Sequence, residues 1–414
     1  MGTMEEKMGK QNRVLTSGAT RRSFLQGLGG TTAGLAYGTS AQFVSAQSRD
    51  PIRIGCLNTF TKAAAIYGEA TLKGLNLYFE EIGWQIAGRK VEIIKEDDEF
   101  NPQAALPKVR KFVESDHVQV ICGPLASQNA MAMVDYMTAS RVPWLVTGAG
   151  ATALTGKRIP HMYRATLSNW QVAYPMGSWL YKNVAKGAVI TASDILAGHD
   201  VADAFKESFV KEGGNIIKEI YPPLGTNDFS AYLSDIRSIM PPAIYSFYAG
   251  IDAARFVRQC QQFGLTSKCA MVGFQSVYDN ETFSAEGRAA LGALSSSIYS
   301  DLLDTPENKK FVAAYKKRYN ELPGIFAESG YTAARIVDEA TRAVGGDIEK
   351  QEEFAAAVGR LKIIAPRGPV RFDPVTHQAI QNVYIRKVIE IDDHLGNQVV
   401  ATIRDVGDNP ANAG

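Results

Sequence analysis

Catalytic signatures are missing from this chain of 414 residues. It has no GxSxG elbow, no HExxH, and no GxxxxGK loop followed by Ser or Thr, which removes the usual marks of a serine hydrolase, a zinc protease and a nucleotide hydrolase. Histidine is scarce, with five residues in no triad context. Cysteine is limited to Cys56, Cys122, Cys260 and Cys269. No CxxC or paired histidine accompanies them, so a zinc site is not expected. Cys260 and Cys269 are close enough in sequence to pair, yet read equally as buried thiols; a Cys56–Cys122 bridge is likewise left open. Charge of one sign is lacking too: 44 Lys and Arg against 43 Asp and Glu leave +1. That excludes the basic footprint of a nucleic-acid binder and the polybasic patch of a membrane-surface binder. No run approaches the ~20 apolar residues of a membrane span. The expectation is a binding protein, not an enzyme, without cofactor or metal.

What is present begins with an address. Thr20-Arg21-Arg22-Ser23-Phe24-Leu25-Gln26 sets two arginines before a weakly apolar, Gly-rich stretch from Gly27 to Val44, and Val44-Ser45-Ala46 offers the small residues a signal peptidase accepts. The order of these elements reads as a twin-arginine export signal over residues 1–46, cut after Ala46 to release a soluble periplasmic protein.

From Pro51 onward, with 45% hydrophobic and 21% charged residues overall, the composition is globular and the length suits two core-forming units. Short β-rich runs alternate with helical patterns. Strands are expected at 52–57, 91–95, 118–122 and 142–146, with helices at 68–82, 103–114 and 127–140. Leu72, Leu75, Phe79 and Ile82 share one face of the first helix. The plan repeats with strands at 188–191, 215–221, 243–248 and 268–272 and helices at 201–212, 232–239 and 253–263. Long helices at 308–319 and 326–344 should return to the first unit, and β-runs at 370–372 and 382–391 close the chain. Such alternation predicts an α/β fold of two doubly wound parallel-sheet lobes. Residues 51–165 with 301–365 would form the N-terminal lobe, and 166–300 with 366–405 the C-terminal lobe. Three strands crossing near 164–168, 297–301 and 365–368 would make the hinge. Ligands of such sheets bind beyond the carboxyl ends of the strands, so two facing lobes would share one cleft.

Several segments invite a chemical reading. Gly148-Ala149-Gly150-Ala151-Thr152-Ala153 matches GxGxxA after a strand. Pro160 interrupts a following helix, and the place of the ribose-binding acid holds Ser168-Asn169, so a dinucleotide is not expected. The loop can instead bring backbone N–H groups close to a ligand. Gly123-Pro124-Leu125-Ala126-Ser127-Gln128-Asn129 also follows a strand and opens a helix. Ser127 reads as an N-cap, or as a hydroxyl beside free N–H groups that hold a carboxylate. His199, Asp200 and Asp203 could ligate a metal, but with no second histidine at ligand spacing they read better as helix capping and a solvated face. Glu96–Glu99 reads as a solvated strand end.

Taken in order, Ile66-Tyr67-Gly68, the 123–129 loop, the 147–155 loop, Phe263-Gly264-Leu265, and Gly368-Pro369-Val370-Arg371-Phe372-Asp373-Pro374 with Thr376-His377-Gln378 resemble the leucine/isoleucine/valine-binding proteins of bacterial ABC importers, which have the type I periplasmic binding fold. The likeness spans nearly all of the mature chain. It implies a monomeric receptor that delivers a small molecule to the membrane subunits of an ABC permease. Family members grip the ligand carboxylate through a serine and backbone donors matched here by Ser127, Ala149 and Ala151, with Thr152 beside a position that usually bears a hydroxyl. Tyr67 matches an aromatic on the same side. Where amino-acid binders place acids for the ligand ammonium, this chain has the neutral Asn169 and Gln275, and the wall at Tyr248-Ala249-Gly250 is small. A buried charge stripped of its partner costs about 3–5 kcal/mol. The resemblance therefore implies the branch associated with aromatic acids such as benzoate or cinnamate derivatives. A branched-chain amino acid or small amide is the alternative, with an acid such as Asp252 supplying the charge; a ligand sensor for a separate signalling partner is another.

Overall fold

The structure, a computed structural model, describes residues 50–412. The twin-arginine segment and the cleavage point after Ala46 lie outside the described residues.

The first sheet has the order β2-β3-β1-β4-β5-β6, from β1 (Ile52–Asn58), β2 (Gln85–Ile86), β3 (Arg89–Asp97), β4 (Val120–Cys122), β5 (Trp144–Val146) and β6 (Met162–Arg164). All pairings but the short β2–β3 contact are parallel. β1, β4 and β5 are buried almost throughout, as strands covered by helices on both faces must be. Those helices are α1 (Ala65–Glu81), α2 (Pro102–Glu114), α3 (Ser127–Ser140) and the single turn α4 (Thr152–Thr155). The start of α2 is written locally: the Asn101 side chain accepts from Gln103 N, and Pro102 takes the first helical position, where no donor is needed.

The second lobe contains α5 (Asn169–Asn183), β7 (Gly187–Ala192), α6 (Leu196–Lys211), β8 (Asn215–Ile220), α7 (Ser230–Ile239), β9 (Ala243–Phe247), α8 (Ile251–Gln262), β10 (Ala270–Phe274), α9 (Asn280–Glu286) and β11 (Leu294–Ser297). The chain then runs through α10 (Pro306–Tyr319), α11 (Ile325–Ala343) and α12 (Gln351–Arg360) into β12 (Lys362–Ala365), β13 (Gly368–Phe372), β14 (Ala379–Ile391) and β15 (His394–Val406). α11 packs along α1, returning the chain to the first lobe. The second sheet is ordered β12-β13-β14-β11-β10-β9-β7-β8, with β15 paired to β14. It is parallel from β11 to β8 and antiparallel from β11 to β12.

Several elements depart from the sequence expectation. α5 was not expected after the first crossing, because Trp170, Tyr174 and the internal Pro175 blur its helical pattern; Ser168 nonetheless caps it by accepting from Gln171 N. The short α9 and α12 were missed as well. β15 extends the β-rich end as a strand of 13 residues antiparallel to β14.

The crossing segments are knitted together. Arg164 bridges to Gln378 in parallel register. Gln378 and Gln381 both donate to the Thr166 carbonyl, at 3.1 and 3.0 Å. Arg386 donates to the Tyr299 carbonyl at 2.8 Å, holding the segment that leaves β11. All four cysteines are free and buried. Among the described residues no helix is long and apolar enough to cross a membrane.

Candidate functional site

Between the lobes lies a small cavity. Its walls come from the segments that follow parallel strands: Leu125, Ala126 and Ser127 after β4, Gly148 and Gly150 after β5, Ile195 and Ala197 after β7, Ala249 after β9, and Gln275 with Ser276 after β10. That is where open α/β sheets bind ligands. Tyr67, Phe100, Leu167, Asn169, Phe247, Phe274 and Phe326 complete it. A larger groove beside α1 and α9 runs past charged residues at the surface, away from these strand ends.

Tyr67 joins the two lobes. Its hydroxyl donates to the Ser276 carbonyl at 2.8 Å and accepts from Gly250 N at 2.7 Å. Its ring stacks on Phe326, with centroids 4.3 Å apart. Burial pushes the Tyr67 phenol far above its ordinary range, so it stays a neutral donor. With these cross-lobe bonds made, the cleft is closed.

Ser127 lines the cavity and is the first residue of α3; the N-cap position belongs to Ala126, which offers no side-chain cap. The hydroxyl thus stands beside the uncapped start of a helix of 14 residues, a place that favours an anion. The start of α6 is built similarly: its N-cap, Ile195, also offers no side-chain cap, and Ile195 and Ala197 face the same cavity.

The second loop differs from expectation. The cavity touches Gly148 and Gly150, not Ala149, Ala151 or Thr152. Ala149 N already donates to the Pro124 carbonyl at 2.9 Å. The Ala151 methyl is buried in the core on the far side of the loop. Thr152 N donates to Asp200 Oδ2 at 2.8 Å, a carboxylate on α6 of the other lobe. An added Cβ at Gly150 would stand 2.1 Å from Asn169 Oδ1, so a larger residue there would displace the Asn169 side chain.

Asn169 lines the cavity, holds the loop by donating its backbone N–H to the Gly150 carbonyl at 2.7 Å, and turns its amide to Asp200 at 3.3 Å. Tyr248 stands outside the lining. Its ring packs against Phe229 and Phe256, and its hydroxyl pairs with the Thr191 hydroxyl, leaving Phe247 and Ala249 to face the cavity. The strand-end alternation puts residue 248 on the opposite face. Gln275 is fully buried in the wall. Its Oε1 accepts from Ser297 Oγ at 3.1 Å, while its Nε2 has no partner.

The lining holds no Asp, Glu, Lys, Arg or His. Asp252 is committed elsewhere: it accepts from Gly225 N at 2.7 Å and pairs with Arg255 at 3.0 Å. The 199–203 residues disperse: His199 pairs with Asp194, Asp200 with Thr152 N, and Asp203 with Lys206. Among the described residues no group of three His, Cys, Asp or Glu could hold a metal. Sequence reading missed Phe100, Leu125, Leu167, Ile195, Phe247, Phe274, Ser276 and Phe326. Most follow a strand directly, and that position was the available signal; Phe326 arrives from α11, which nothing local connects to the cleft.

A family model described as periplasmic binding protein matches residues 51–393. "Leu/Ile/Val-binding protein homolog 6" of Brucella melitensis is 27% identical over 370 residues, covering 88% of this chain and 94% of the relative. An ABC transporter substrate-binding protein from Sphaerobacter thermophilus is 33% identical, with TM-score 0.81, covering 87% of this chain and 99% of its own. A solute-binding protein of an ABC transporter from Rhodopseudomonas palustris, solved with 3,4-dihydroxybenzoic acid, is 32% identical with TM-score 0.84, covering 88% and 99%.

Proposed function

Because the chain belongs to the periplasmic binding protein family, we propose that it is the receptor of an ABC importer and carries an aromatic carboxylate without an α-amino group. The observation that carries this is the neutral cavity wall, which sets an uncapped helix start and a serine hydroxyl against aromatic faces and offers no acid. A carboxylate at Ser127 meets donors and the positive end of α3. A flat ring fits among Phe100, Phe247, Phe274, Phe326 and Tyr67. An amino acid would bring an ammonium that finds no anionic partner there, and an unpaired charge in a closed cleft weakens binding by roughly a hundredfold or more. The ligand of the Rhodopseudomonas relative is of the favoured class. Ser127, Asn169, Gln275 and Tyr67 are the contacts this reading assigns, with Gly148 and Gly150 presenting backbone.

In this reading the protein works as a single chain in the periplasm, after loss of the export signal. The open form meets ligand, the lobes close, and the closed complex docks on the permease. The ligand shifts the balance only by its preference for the closed form. Calorimetric titration of the purified mature protein with benzoate, hydroxybenzoates, cinnamate and leucine is the test. Micromolar or tighter binding of an aromatic acid, with leucine silent, is expected; tight leucine binding and indifference to every aromatic acid would sink it.

A further inference from the structure

We propose that Gln275 reads a second oxygen on the ligand, a ring hydroxyl or carbonyl directed at the second lobe while the carboxylate sits at Ser127. This deepens the aromatic-acid reading and rests on it. Gln275 follows β10 in the second lobe, whereas Ser127 opens α3 in the first, so the two groups face the ligand from opposite sides of the cleft. The amide is oriented by its neighbours. Tyr299 N donates to Ser297 Oγ at 3.2 Å, and the single proton of that hydroxyl goes to Gln275 Oε1 at 3.1 Å. The Nε2 group is thereby left in the wall, fully buried and without a partner. A buried donor left unmade is costly, and it is relieved only by an acceptor.

Among the described residues no group accepts from Nε2. Ser276 Oγ donates to the Tyr248 carbonyl at 2.9 Å, and the Ser276 carbonyl accepts from Tyr67. The cavity wall also carries the aromatic rings of Phe247, Phe274 and Phe326. An oxygen of the guest can supply the missing acceptor. An unsubstituted ring leaves the amide unsatisfied, and an ammonium or arylamine presents hydrogens to hydrogens. The start of α6, uncapped and facing the same cavity, adds to the donor character of the second lobe.

The experiment is a calorimetric comparison of benzoate, 3-hydroxybenzoate, 4-hydroxybenzoate and 4-aminobenzoate on the wild type, on Gln275→Met and on Gln275→Glu. The wild type is expected to favour one of the hydroxybenzoates over benzoate by about tenfold. In Gln275→Met that ratio should fall toward one. In Gln275→Glu, where the side chain accepts, 4-aminobenzoate should gain on benzoate. The thermal unfolding midpoint of each variant reports that it is folded. A hydroxybenzoate-to-benzoate ratio unchanged in Gln275→Met, or near one in the wild type, overturns the assignment. If no aromatic acid binds the wild type at all, it is the underlying reading that fails, and the two failures are told apart in the first titration.

Discussion

Arg367 and Glu328 form an ion pair at 2.6 Å with both side chains wholly removed from solvent. Arg367 lies between β12 and β13, in the last crossing, and Glu328 is on α11 of the first lobe. The guanidinium also donates to the Ala165 carbonyl of the first crossing at 2.6 Å and to Gln381 Oε1 at 2.7 Å. Glu328 in turn accepts from the Thr332 hydroxyl at 2.6 Å. One cation thus ties two crossings to the helix beside them. Removing one partner leaves a buried charge, at a cost of about 3–5 kcal/mol. Arg367→Met should lose that much in urea unfolding, and Arg367→Met with Glu328→Leu should recover a large part. A single variant as stable as the wild type would show that the pair does not hold the hinge.

Tyr67 makes a different prediction, because its bonds to Ser276 and Gly250 exist only when the lobes meet. Tyr67→Phe keeps the ring on Phe326 but leaves a carbonyl and an N–H unmatched in the closed form. In the open form water serves both. The penalty of about 1–3 kcal/mol therefore falls on closure alone. Ligand affinity should drop roughly tenfold to a hundredfold by titration, while the unfolding midpoint of the unliganded protein stays within about 2 °C. A large loss of unliganded stability with affinity intact would assign Tyr67 to the core instead.

The architecture was readable because its signal is periodic. Strands at 52–57 and 243–248 were expected almost where β1 and β9 occur, and α11 was expected within a residue or two of its ends. These segments are buried on two faces or one stripe, and burial writes itself into the order of apolar residues. The cavity was legible only where a motif named it. Ser127 stands in a loop after a strand, and Asn169 and Gln275 enter through the family resemblance; all three line the cavity, whereas Tyr248 lies one residue off the facing positions held by Phe247 and Ala249. Nothing in Ala149 or Thr152 announces that their N–H groups are already given to Pro124 and Asp200. Those bonds join distant segments, and a single sequence carries no record of them.

The buried thiols give a chemical prediction. Cys56 and Cys122 stand opposite each other in register on β1 and β4, both without solvent exposure. Burial pushes the Cys56 thiol up to about 12, and the Cys122, Cys260 and Cys269 thiols are raised by the same cause. The thiolate is the reactive species, so at pH 8 only about one Cys56 in ten thousand is poised to react even before access is considered. A thiol-reactive dye should label almost none of the four cysteines in the native protein and all four in denaturant. Rapid native labelling of Cys56 or Cys122 would contradict the packing of that sheet.

Asp301 ends the crossing that leaves β11, and it carries a pH dependence of definite sign. Burial raises its carboxyl to about 6; hydrogen bonds from Asn280 and Asn397 N and the charge of Arg386 pull it down, while Asp279 pushes it further up. One oxygen, Oδ1, has no partner. An unfolded Asp titrates near 4. Between about pH 4 and pH 6 the native state therefore holds the proton more firmly than the unfolded chain. Stability from this group falls as pH rises through that window, and the full cost is present above it. Across a window of that width the cost amounts to roughly 2–3 kcal/mol. Asp301→Asn has nothing to titrate at this position. The difference in unfolding free energy, wild type minus Asp301→Asn, should become more favourable to the wild type by that amount as pH falls from 7 to 4. Other carboxylates titrate in both proteins and cancel in the difference. A difference independent of pH would mean that the Asp301 carboxyl is as well solvated in the fold as out of it.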